Sequence, residues 1–100
     1  MDVRITEVPA DFAREIVENA EKYGVISVDV ENRVSLLDDM LDSKEERLQY
    51  ALEKMKESNV DKAVLVVRDG RGMLVINLED VVEIRIELDD YKSVLEQLSR

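Results

Sequence analysis

The chain contains no cysteine and no histidine, so thiolate nucleophiles, imidazole bases and Cys/His zinc sites have no residues to build them. Carboxylates, lysines and arginines are what remains for chemistry. Asp38, Asp39 and Asp42 stand close enough to offer hard oxygen ligands to Mg²⁺ or Ca²⁺. Their spacing lacks the alternating ligands, the glycine and the closing glutamate of an EF-hand loop, so a solvated approach to a helix is expected instead. Asp69-Gly70-Arg71-Gly72 is glycine-rich, but it has no G-x-x-x-x-G-K-[ST] form and apolar, strand-like runs flank it. It reads as a hairpin turn with an exposed Arg71. Acid–base work by paired carboxylates needs a cleft, and four aromatic residues supply little to line one. The row Glu83, Arg85, Glu87 reads as cross-strand charge pairing, and Met40, Met55 and Met73 read as core filler. The expectation is a domain with no catalytic residues, no cofactor and no metal, which acts by binding.

Composition agrees with a folded domain. The 100 residues are 45% hydrophobic and 38% charged, the balance of a globular chain rather than a disordered tail. That length makes one domain, residues 1–100, able to bury about two-thirds of its unfolded surface without disulfides. No apolar run approaches the roughly 18 residues of a spanning helix, and Met1 to Ile5 lacks the segments of a signal peptide, so a cytoplasmic location is expected. The formal net charge of −10 repels phosphate backbones and anionic lipid, which argues against nucleic-acid and membrane partners.

The elements follow from spacing and punctuation. Phe12, Ala13, Ile16, Val17 and Ala20 share one helical face after Pro9, predicting a first helix over 9–22 with Gly24 as its stop. Val25 to Leu37 alternates as a hairpin around Glu31-Asn32. Ser43 and Glu46 form a capping box that opens a helix to about Ser58, with Leu48, Ala51, Leu52 and Met55 on one stripe. Ala63–Val67, Met73–Leu78 and Val81–Leu88 read as a three-stranded meander, and Asp89 or Asp90 caps a last helix over 90–99. Residues 3–5 read only as a short extended lead-in. The fold class is α+β, in the order helix-β-β-helix-β-β-β-helix, with a five-stranded antiparallel sheet covered by helices.

Laid out in this way, the chain resembles the Roadblock / dynein light chain family. The likeness is carried by Gly24-Val25-Ile26-Ser27-Val28-Asp29 and, more strongly, by the run from Asp61 through Asp69-Gly70-Arg71-Gly72 to Leu78 and on to Leu98. The second helix, Lys44 to Ser58, is shorter and more charged than is usual there. The resemblance implies a homodimer, or a heterodimer with a paralogue, joined through second helices and third strands, with Leu48, Leu52, Met55 and Ala63, Val64, Leu65, Val66, Val67 as interface residues. It also implies an adaptor that serves a small Ras-like GTPase or a motor complex without a catalytic site of its own.

Independently of the family, Ala63 to Val67 has no charge, proline or glycine. Such a run is either a sheet edge that a second copy must shield or a central strand buried on both faces. The resemblance selects the edge. Two other classes of function fit the composition: a small-ligand sensor of PAS or profilin-like shape, which requires an internal cavity, and an acidic inhibitor that mimics nucleic-acid charge.

Overall fold

The computed structural model describes residues 2–34 and 41–100. Among these the chain runs β1 (Val3–Glu7), α1 (Ala10–Glu18), β2 (Val25–Asn32), α2 (Lys44–Glu57), β3 (Val60–Arg68), β4 (Arg71–Leu78), β5 (Val82–Leu88) and α3 (Tyr91–Leu98). The fold is α+β, with a five-stranded antiparallel sheet and three helices, as the sequence predicts. The strands lie in the order β1-β3-β4-β5-β2.

Local signals account for most of the boundaries. The Ser43 hydroxyl accepts the Glu46 backbone N–H at 3.1 Å, and Asp90 accepts that of Ser93 at 3.4 Å. Each side chain thereby satisfies a donor that the first helical turn leaves without a partner. Asp69 and Gly70, at φ 52° and 75°, form the two-residue turn between β3 and β4. Positive φ at both central positions matches the right-handed twist of the flanking strands. The first helix is shorter than expected, ending at Glu18, and Gly24 serves a different junction: at φ 65° it leads into β2, and its carbonyl accepts the Asp89 N–H at 2.8 Å.

Two parts of the topology correct the sequence reading. The segment Ala63–Val67 is not at the sheet edge; β3 pairs with β4 on one side and with β1 on the other, in register from Val3↔Arg68 to Glu7↔Val64. The apolar run is therefore an inner strand, and the chain's own lead-in supplies the cover that the edge reading assigned to a second copy. The other correction concerns the hairpin after Gly24. Its first arm is β2, which extends through Glu31 and Asn32, the pair expected to turn; Arg33 and Val34 make the turn. The rest of the expected second arm lies outside the described residues.

Strand alternation separates the two faces of the sheet. Ala63, Leu65, Leu74, Ile76, Ile84, Ile86, Val28 and Val30 are buried. They line up in rows across the sheet, such as Leu65, Leu74, Ile86, Val28. Ala13, Ile16 and Val17 of α1, Ala51 and Met55 of α2 and Val94 of α3 complete the same cluster. Gly72 belongs to this face because Tyr91 of α3 lies directly on it: an added Cβ would collide with the Tyr91 Cβ. The helical layer is tied internally by Arg14 donating to the Met55 carbonyl at 3.2 Å and by an edge-on Phe12–Tyr23 pair with ring centroids 6.2 Å apart.

Candidate interaction surface on the open sheet face

The opposite face carries no helix among the described residues. Its side chains form a grid that the strand registers define. One row runs Ile5, Val66, Met73, Glu87, Ser27, and the next runs Glu7, Val64, Val75, Arg85, Asp29. Val3, Arg68 and Arg71 lie beyond the first row, and Lys62, Asn77, Glu83 and Glu31 beyond the second.

The grid divides by chemistry. On β1, β3 and β4, Val3, Ile5, Val64, Val66, Met73 and Val75 form one contiguous apolar patch; Ile5 is 66% exposed and Met73 36%. Exposed apolar side chains are common singly, but a contiguous cluster with a charged border is the usual mark of an interaction site. On β5 and β2 the face is ionic. Arg85 donates to Asp29 at 2.9 Å and also pairs with Glu83. The bond to Asp29 holds the Arg85 guanidinium more firmly protonated than usual, against an opposing contribution from burial. Arg68 and Arg71 border the apolar end, near Asp69 at 3.6 Å and Glu87 at 4.0 Å.

The expected row Glu83, Arg85, Glu87 is thus present, half-buried on the open face. Met73 corrects the core-filler reading, since it lies on the exposed side of β4, whereas Met55 is buried against the sheet. Met40, Asp38 and Asp39 lie outside the described residues. Asp42 is exposed, and no cluster of three or more metal-binding side chains occurs among the described residues.

The residues expected at a dimer interface do not share one surface. Ala63, Leu65 and Met55 are buried within a single subunit. Leu48, Leu52 and Val67 are half-buried against the same core. Val64 and Val66 alone reach the open face, and both backbone edges of their strand are already paired. Sequence reasoning missed Val3, Ile5 and Val75 as members of a surface patch. The signal available was the pairing of β1 with β3, which is not written in the composition of either strand.

The outer edge of β1 is the remaining place for backbone pairing on this side. Val8 donates its N–H to the Ala63 carbonyl at 2.9 Å. By two-residue alternation Thr6 and Arg4 also direct their backbone groups at β3, and Val3, Ile5 and Glu7 direct theirs outward. Arg4 and Glu7 place charges along this edge, a common guard against uncontrolled pairing.

Comparison with known proteins adds no assignment: the sequence matches no family model, and no curated protein or solved structure is significantly similar to it. No helix among the described residues is long and apolar enough to cross a membrane.

Proposed function

We propose that the chain is a non-enzymatic, cytoplasmic adaptor of the Roadblock type that holds a protein partner, with a small Ras-like GTPase as the partner class. The observation that carries this reading is the contiguous apolar patch on the open sheet face, ringed by charged residues. Such a surface offers area to desolvate and a polar border to orient a partner, which is the anatomy of a protein interface. From α2 onward the succession α2, β3-β4-β5, α3 is the one that the resemblance implies. Regulation would follow if the partner's two nucleotide states met this surface with different affinity, because a ligand shifts an equilibrium only by its differential binding.

The packing of the covered face favours the adaptor over the ligand sensor. Leu65, Leu74, Ile76, Ile84 and Ile86 fill the space between sheet and helices at zero exposure, where a sensor of that shape needs a cavity. Homodimerisation, which the resemblance implies, belongs to the proposal without a role for the backbone of 63–67, whose two sides are paired within the chain. The test is affinity capture on the immobilised protein from cells of its own source, loaded with either GDP or a non-hydrolysable GTP analogue. Recovery of a small GTPase in one state supports the adaptor, and recovery in neither refutes it. Light scattering at micromolar concentration distinguishes the 11.5 kDa monomer from a dimer.

A further inference from the structure

We infer that the outer edge of β1 pairs antiparallel with β1 of a second copy, about a two-fold axis that passes beside Ile5, so that the apolar patches of two subunits join into one. The inference rests on the adaptor reading and specifies how two adaptors meet.

The edge is open, and it carries the most exposed members of the patch: Val3 is 51% and Ile5 66% exposed, against 36% for Met73. Val3, Ile5 and Glu7 direct their N–H and C=O groups away from β3, whereas Arg4 and Thr6 use theirs within the sheet. An edge of this kind is a template for one more strand.

Register decides the occupant. With the two Ile5 residues opposite each other, all five residues of β1 are matched: Ile5 meets Ile5, Val3 meets the partner's Glu7, and Arg4 meets the partner's Thr6. Val3, Ile5 and Glu7 then exchange hydrogen bonds in both directions. A shift of two residues one way sets Arg4 directly against Arg4, and like charges in that position are destabilising. The opposite shift sets Ile5 against Glu7 and leaves Val3 facing Pro9, which has no N–H and lies beyond β1. A shift of one residue sets each outward backbone group against a residue whose groups are already used. The strand therefore complements itself in a single register.

Charge selects the same arrangement. Glu7 has no ion pair among the described residues, and Arg68, level with Val3 on β3, is exposed and has only Asp69 beside it, at 3.6 Å. In the matched register the partner's Glu7 stands one strand beyond Val3, so its backbone is about 10 Å from that of Arg68, a gap that two long side chains close. In the shifted register Glu7 lies beside Ile5 and Val66 instead. Arg4 and Glu7 thus guard the edge against other strands while admitting this one. On the open face Met73, Val66 and Ile5 of one copy continue into Ile5, Val66 and Met73 of the other, which doubles the apolar surface available to a partner. Five residues a side cover less than the roughly 800 Å² per partner of a standard stable interface, so the pairing is reversible.

The test is light scattering of the full chain from about 10 µM to about 1 mM. It is run at about 0.15 M salt, which screens the repulsion between copies of net charge −10. Mass is expected to rise from monomer to dimer. Over the same range, hydrogen exchange at Val3, Ile5 and Glu7 is expected to slow, while Arg4 and Thr6 are unaffected. Ile5→Pro removes an outward N–H and no bond to β3; with its fold checked by thermal melting, it is expected to weaken the dimer at least tenfold. Arg68→Glu and Glu7→Arg are each expected to weaken it several-fold, and the two together to restore it. A monomer at every concentration would overturn the proposal, as would a dimer that Ile5→Pro leaves intact or a charge swap without rescue. Slowed exchange at Val3, Ile5 and Glu7 of a monomer on adding a synthetic alternating Thr-Val peptide would give the edge to a foreign strand and equally overturn it. A monomer that still captures a GTPase would remove the edge pairing and keep the adaptor; a dimer with the expected protection that captures none would remove the adaptor and keep the pairing.

Discussion

The same strands build two faces with opposite requirements. On the covered face Leu65, Leu74, Ile76, Ile84 and Ile86 have no exposure, and a glycine is needed where Tyr91 approaches. One residue along each strand, the open face carries a half-exposed apolar strip next to an ionic ladder. The first face is governed by volume, since closely packed interiors register the loss or gain of a single methylene. The second is governed by the character of its surface, and substitutions there change binding more than stability. A β-strand thus carries two independent messages at alternate positions.

The sharpest way to break this contrast is Ile84→Ala. Loss of a buried side chain at the centre of the sheet is expected to cost about 2–5 kcal/mol, read as a lower midpoint in denaturant unfolding. A cost below about 1 kcal/mol would mean that the covered face is not a packed core. Gly72→Ala comes next. The new Cβ collides with the Tyr91 Cβ rather than with the end of a flexible chain, so α3 must shift, at an expected cost of about 1–3 kcal/mol. Gly72→Ala at wild-type stability would place α3 elsewhere. Ser43→Ala removes the acceptor for the Glu46 N–H at the start of α2 and is expected to cost about 1 kcal/mol in the same measurement. The smallest effect belongs to the open face: Met73→Gln is expected to change stability by less than about 0.5 kcal/mol. A loss comparable to that of Ile84→Ala would show that this face is covered within the monomer.

Legibility in the sequence varied with the kind of information required. The meander was readable because Val82, Ile84, Ile86 and Leu88 alternate with Glu83, Arg85 and Glu87, and because Asp69-Gly70 suits a turn with positive φ. The helix from Lys44 was readable from its cap. The apolar patch was not, because a third of it, Val3 and Ile5, is contributed by β1, whose five residues are mostly exposed and carry charge at Arg4 and Glu7. Met73 looked like filler because methionine suits interiors and surfaces alike, and its placement depends on parity within the strand rather than on its type.

By itself the sequence determined the α+β class, the helix caps, the tight turn at Asp69-Gly70 and the split of β5 into a buried and a solvated side, because side-chain period and local backbone preference are written residue by residue. Only the tertiary structure decided that Val3–Glu7 flanks Val60–Arg68, and so which strand stands at the margin and which apolar side chains become neighbours. Lateral order in a sheet is set by backbone N–H and C=O groups. Every residue type but proline offers these alike, so they leave no mark in the pattern of side chains.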